Sequence, residues 1–148
     1  RRQRQMCIRD SYMMSRRKMT TINDTRDACE YFRPLFMFAR TERVFVLLLD
    51  NMLRVLSCRE LGRGSLDFVN MNVRSVVEMV VNYRASRVIL AHNHPGGGIT
   101  PSPDDYVSTE MLEKALGGFG VQLLDHIIVS GVQAGSIFKA NRDYRQIV

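Results

Sequence analysis

A single α/β domain, one mixed β-sheet flanked by helices, is what this sequence predicts, and three observations carry that expectation. The chain has 148 residues, 45% of them hydrophobic, which suits one compact domain with a single core that needs neither disulfides nor a structural metal to fold. Two short apolar runs, Val44–Leu49 and residues 88–91, have the length and composition of strands covered on both faces. Around them apolar residues recur at helical spacing, so strands and helices alternate along the chain.

Taken in order, Asn23, Asp24 and Thr25 can cap a first helix with Ala28, Tyr31 and Phe32 on one face, and Pro34 strains its end. Glu42 and Arg43 then lead into the first strand, and Asp50-Asn51 supplies turn chemistry for a hairpin partner over 53–58, ending near Glu60. Gly62 and Gly64 break the pattern. From Asn72, a plausible cap, Val73, Val76, Val77, Val80 and Val81 recur with helical period, which outweighs the strand preference of valine. Residues 88–91 form the second buried strand and run into His92-Asn93-His94 and a glycine-rich turn. Ser102-Pro103-Asp104-Asp105 opens the next helix, with Met111, Leu112, Ala115 and Leu116 inward and Gly117-Gly118 as its stop. Residues 121–124 and 126–129 make another strand, and 137–139 one more.

The formal charge of +6 suggests nucleic acid until its distribution is examined. Residues 1–18 hold seven positive side chains against Asp10 alone, which is the whole excess, and the remaining 130 residues hold 14 of each sign. A neutral 19–148 domain behind a basic tail gives no argument for a groove that tracks phosphates. The opening RRQRQMCIRDS resembles translated sequencing-adaptor read-through, so the tail is read as disordered and partly non-biological. Cys7, Cys29 and Cys58 are odd in number and without paired spacing, which fits a reducing, cytoplasmic compartment. No apolar run approaches the roughly 20 residues of a membrane span.

The chemistry is concentrated in His92-Asn93-His94-Pro95-Gly96-Gly97-Gly98-Ile99-Thr100-Pro101-Ser102-Pro103-Asp104-Asp105. Residues two apart on a strand point the same way, so His92 and His94 can aim both imidazoles at one point. A turn that folds back to a helix start can deliver a carboxylate such as Asp105. Two His and one Asp leave the fourth tetrahedral position of Zn²⁺ open to water, the pattern of a hydrolytic centre. The Ser102/Asp105 pair is equally a capping box, which by itself needs no catalytic role.

His-x-His, seven residues, then Ser-x-x-Asp resembles the signature of the JAB/MPN (JAMM) metalloproteases, and AHNHPGGGITPSPDD followed by LLDHIIV is similar to their bacterial RadC-like branch. The likeness spans about residues 20–145 and includes TERVFVLLLD and RELGRGS. It implies a layered mixed sheet of the cytidine-deaminase-like kind, and Zn²⁺ held by His92, His94 and Asp105. It implies Glu42, opening TERVFVLLLD, as general base, with Glu60 the competing carboxylate, and Ser102 as a donor to the oxyanion. The implied reaction is zinc-dependent hydrolysis of a peptide or isopeptide bond in a peptide or protein substrate. Here glycines and Ile99 replace the usual HNHPSGDPTPS, a change expected to loosen the loop without touching a ligand. The helix-hairpin-helix segment common ahead of the domain is not recognisable, so DNA contact through it is not expected.

Two readings compete with hydrolysis. An accessory binding module for DNA repair or mobile elements would carry the same motif with a non-catalytic metal. An HNH nuclease or a zinc deaminase is disfavoured, the first because its named residues lie far apart in sequence, the second because H-x-E and P-C-x-x-C are absent. Asp125 and His126 alternate on a strand, so one is expected toward the core and one outward, in a packing or supporting role. Cys29 and Cys58 read as ordinary buried small residues.

Overall fold

The computed structural model describes residues 20–61 and 73–147. The basic tail, the turn at Gly62 and Gly64, and the expected Asn72 cap lie outside the described residues. The first helix, α1 (Thr25–Phe32), is capped by Asp24, whose Oδ1 accepts the Asp27 N–H at 2.8 Å. Its ladder stops where Pro34 has no N–H to give, and the chain tightens into a 3₁₀ turn, Arg33–Phe36. Strand β1 (Val44–Leu49) is buried along its whole length. The hairpin to β2 (Val55–Leu61) is organised by Asp50, whose Oδ1 accepts the N–H groups of Met52 and Arg54, both at 2.9 Å. The partner strand therefore starts later than expected: Leu53 sits in the turn at φ 64° and is buried there.

Helix α2 (Val73–Tyr83) ends with Arg84 in the left-handed region at φ 52°. The Ala85 N–H reaches Val80 O and the Arg84 N–H reaches Val81 O, the paired bonds of a Schellman end. Strand β3 (Arg87–Asn93) follows, then α3 (Pro103–Gly117). This helix closes with the same pair of bonds two residues beyond the expected stop, at Gly120 with φ 71°, because the glycine that reverses the chain is the one after Phe119. Strand β4 (Gln122–Ser130) is continuous, and β5 (Gln133–Ser136) returns from it after a turn at Gly131. The last strand is thus not at 137–139. Those residues are a turn, with Lys139 at φ 54°, and the strand precedes them in a stretch with no apolar pattern.

The sheet runs β2-β1-β3-β4-β5, with β3 and β4 parallel and the other three pairings antiparallel. The single core expected from chain length is divided by this sheet into two. On one face Phe45, Leu47, Leu49, Ile89 and Ala91 meet Ala28, Tyr31 and Phe32 of α1. On the other Val44, Val46, Leu48, Val88 and Leu90 meet Val76 and Val80 of α2 and Leu112 and Leu116 of α3. Strict alternation within β1 and β3 feeds both cores, which is why their sequences read as unbroken apolar runs. Met111, expected inward, is 44% exposed, since α3 turns only the Leu112 and Leu116 stripe to the sheet.

Strand β4 carries one irregularity that decides which core its residues enter. Between Val88 and Ile89 of β3 the pairing steps from Leu123 to Asp125 of β4, so Leu124 is an extra residue, a β-bulge. Beyond it His126 sits opposite Leu90, on the α3 face, and Asp125 opposite Ile89, on the α1 face. Alternation correctly separates the two side chains, but neither is outward: both are 0% exposed, because helices cover both faces.

Candidate metal centre

The site forms where β3 leaves the sheet and α3 begins. His92 continues the Val88–Leu90 side of β3, His94 follows two residues on, and the turn 95–101 carries the chain back to Ser102. Gly96 and Gly98 stand at φ 68° and 75°, and Gly98 is pinned at both polar atoms. Its N–H donates to Ser130 Oγ at 3.1 Å, and its carbonyl lies 3.2 Å from His94 Nδ1. The expected loosening of this loop is opposed by these two anchors. At the helix start the full capping box is present: Ser102 Oγ accepts the Asp105 N–H at 3.2 Å, and Asp105 Oδ2 accepts the Ser102 N–H at 2.8 Å. The box that fixes the helix therefore also fixes the Asp105 carboxylate.

His92, His94 and Asp105 form the one group among the described residues whose potential ligand atoms all lie within 4.8 Å of one another. His92 Nε2 is 3.3 Å from Asp105 Oδ1, His94 Nε2 is 3.2 Å from Asp105 Oδ2, and the two Nε2 atoms are 2.8 Å apart. Bonds of about 2.0–2.1 Å to a tetrahedral zinc would place neighbouring ligand atoms about 3.3–3.4 Å apart. Each carboxylate oxygen stands at about that distance from one histidine, Oδ1 from His92 and Oδ2 from His94, and the two imidazoles would have to part by roughly half an ångström.

The protons fit a cation as well. The Gly98 carbonyl can only accept, so His94 carries its hydrogen on Nδ1 and turns a lone pair on Nε2 toward Asp105. The donor set, two imidazoles and a carboxylate in a half-buried corner, is able to hold a metal ion.

Burial pushes the His92 imidazole below its ordinary value, against the opposing pull of Asp105 and, more weakly, of Glu42. Burial works against charge on Asp105 too, but the His92 imidazole beside it and the Ser102 N–H outweigh it and hold the carboxyl well below the usual carboxylate range. A carboxyl so placed is ionised across the physiological range.

Glu42 is exposed and lies two residues before Val44, the partner of His92 across β1 and β3. Its segment is held by Asn93, which points to the opposite side of β3 from the histidines. Asn93 Oδ1 accepts the Arg43 N–H at 2.6 Å and Nδ2 donates to Thr41 O at 3.0 Å, bracketing Glu42 on both sides. Glu60, the competing carboxylate, is held by Arg43 through both oxygens, at 2.6 and 2.9 Å. Its hydrogen bond in turn raises the Arg43 guanidinium further.

Two further groups complete the surroundings. His126 Nε2 lies 2.6 Å from His92 Nδ1, and His126 Nδ1 lies 2.6 Å from Thr109 Oγ1 on α3. Thr109 carried no motif; the signal for it was a hydroxyl four residues after Asp105 on the inward stripe of the helix. Asp125, on the other face, accepts from Thr25, Ser136, Tyr144 and the His126 N–H. Cys29 is buried and Cys58 half-buried against the same core.

The RadC-like JAB domain family model matches residues 22–143. A UPF0758 protein of Verminephrobacter eiseniae is 42% identical over 115 residues, 77% of this chain and 48% of its own length. One from Albidiferax ferrireducens is 40% identical over 121 residues, 81% of this chain and 52% of its own length. One from Porphyromonas gingivalis is 35% identical over 119 residues, 80% of this chain and 52% of its own length. The chain spans about half the length of these curated relatives.

Proposed function

This chain belongs to the RadC-like JAB domain family, and from that premise we propose that it is a zinc-dependent hydrolase that cleaves a peptide or isopeptide bond of a protein substrate. The observation that carries the reading is the convergence of His92 Nε2, His94 Nε2 and the Asp105 carboxylate at spacings close to a tetrahedral edge. A zinc ion held by these three residues supplies Lewis acidity, which polarises a carbonyl and acidifies water.

The chain's own residues do the rest. His92 and His94 keep their orientation through hydrogen bonds at Nδ1, so the site is preorganised. The Glu42 carboxylate takes a proton from the attacking water and passes it to the leaving amine nitrogen. Ser102 Oγ accepts the Asp105 N–H with a lone pair, which leaves its own hydrogen to donate to the developing oxyanion. Glu42 is favoured over Glu60 as the base because Arg43 already holds both Glu60 oxygens. Nucleic acid is not proposed as the substrate, since residues 19–148 carry no net charge.

The test is the zinc content of the whole chain after reconstitution, followed by hydrolysis of peptide- and isopeptide-linked substrates. About one zinc per chain is expected, lost in His94→Ala and in Asp105→Ala. Hydrolysis should vanish in Glu42→Gln and survive in Glu60→Gln. A parent chain that takes up no zinc sinks the proposal, and zinc uptake without any hydrolysis points instead to a binding module with a non-catalytic metal.

A further inference from the structure

A neutral histidine binds a metal through Nε2 only if its one hydrogen sits on Nδ1, and at His92 the ligand cluster pulls the other way, since Asp105 Oδ1 stands 3.3 Å from Nε2 as an acceptor. The decision is made farther away. The Asp105 backbone carbonyl can only accept, and Thr109 Oγ1 stands 2.6 Å from it, so the single hydroxyl hydrogen lies between them. With that hydrogen committed, Thr109 Oγ1 faces His126 Nδ1 at 2.6 Å as an acceptor, and His126 must carry its hydrogen on Nδ1. His126 is fully buried, which keeps the ring neutral, so its Nε2 bears a lone pair. That lone pair stands 2.6 Å from His92 Nδ1, which must then be the donor. His92 Nε2 then carries no hydrogen and, like His94 Nε2 2.8 Å away, turns a lone pair into the space beside Asp105, an arrangement that a cation between them completes.

From this geometry we infer that Thr109 and His126 are positioning residues that set the tautomer of His92 and so keep its Nε2 open for the metal. The chain of bonds leaves from the Asp105 carbonyl and ends at His92 Nδ1, with α3, β4 and β3 each contributing one link. Reversing every bond would put a hydrogen on His92 Nε2, where the metal belongs. It would also set Thr109 Oγ1 against the Asp105 carbonyl oxygen with no hydrogen between them. The inference rests on the metal-centre reading for its purpose, though the tautomer is a property of the metal-free chain.

Two readouts test it on the whole chain: zinc affinity by chelator competition, and long-range ¹H–¹⁵N NMR of the histidine rings with and without zinc. In the parent, His126 should be protonated on Nδ1 in both states. Thr109→Val, nearly isosteric, and His126→Leu should weaken zinc binding about 10- to 100-fold. Thr109→Ser restores the hydroxyl, and His126→Gln offers an amide oxygen to His92 Nδ1, so both should bind close to the parent. A purely space-filling role would give the opposite ranking, with Val and Leu tolerated. Parent-like zinc affinity in Thr109→Val, or an Nε2-protonated His126 in the parent, overturns the inference. Failure of the parent to bind zinc overturns the metal-centre reading instead, and the His126 tautomer in the metal-free chain then decides the relay alone.

Discussion

Tyr144→Phe removes one hydroxyl from the interior and nothing else. The ring is 1% exposed and its OH lies 2.6 Å from Asp125 Oδ2, where burial and that carboxylate push the phenol far above its ordinary value. Phenylalanine keeps the apolar contacts, so the loss is the hydrogen bond. Bonds to a charged group contribute about 1.5–3 kcal/mol. Asp125 would keep Thr25 Oγ1 at 2.7 Å, Ser136 Oγ at 2.5 Å and the His126 N–H at 2.9 Å, which places the expected cost near the middle, about 2 kcal/mol. For a domain of this size that lowers Tm by about 6–8 °C. Asp125→Ala is the severe version: it strands all four donors at once, and about 4 kcal/mol or more is expected. The assay is urea and thermal unfolding followed by circular dichroism in chelator, with zinc affinity measured beside it. Because Asp125 faces α1 while the ligands face α3, Tyr144→Phe should leave zinc affinity unchanged. A Tyr144→Phe chain within about 0.5 kcal/mol of the parent would refute the ledger of bonds at Asp125.

Three other expectations arise from features away from the ligands. Arg84→Gly relieves a left-handed residue at a Schellman end and should raise stability by about 0.5–1 kcal/mol, seen as a higher Tm; an unchanged or lower Tm contradicts it. Cys29 is pushed up from 9.0 to about 11, by burial first and Asp125 next. Between those values the folded thiol keeps its proton while the unfolded one gives it up, so stability falls as pH rises above about 9, by up to about 1.4 kcal/mol per unit, with Tyr144 adding to the slope above 10. Cys29→Ala should flatten the urea midpoint between pH 9 and 10, and a parent midpoint that is level to pH 10.5 counts against the argument. Asn93→Ala frees the Arg43 N–H, so amide hydrogen exchange at Arg43 should speed up while zinc content stays at the parent level; unchanged exchange would mean that Asn93 does not hold the Glu42 segment.

Much of the fold and of the candidate site is legible in the sequence. The two buried central strands show as apolar runs because alternation feeds a core on each face, and the clustering of His92, His94 and Asp105 shows because strand spacing and a capping box are both local rules. Strand β5 escapes such rules because Gln133–Ser136 is a four-residue edge with no apolar face to betray it. The middle residue of His92-Asn93-His94 looks incidental in sequence, and its use emerges only when β1 is laid beside β3 and its amide reaches Thr41 and Arg43. His126 can be assigned a side by alternation, but its partner Thr109 is 17 residues earlier on another element, a pairing that no local rule supplies.

Leu124, the extra residue in β4, has a wider consequence. A strand is a counting device in which odd and even positions answer to different sides of the protein, and an added residue changes the parity of everything beyond it. The bulge absorbs that added residue, because Leu124 and Asp125 together face Ile89. Were Leu124 instead drawn into the ladder opposite Ile89, Asp125 would move opposite Leu90, among the α3 side chains next to His92, and His126 opposite Ala91, among Thr25, Ser136 and Tyr144. The metal corner would then meet a carboxylate where it now meets an imidazole, and the hydroxyls of Thr25, Ser136 and Tyr144 would meet a ring that can answer at most one of them. The boundary between the two halves of the interior is therefore kept by the one residue this strand holds out of its ladder as much as by the kinds of residue within it.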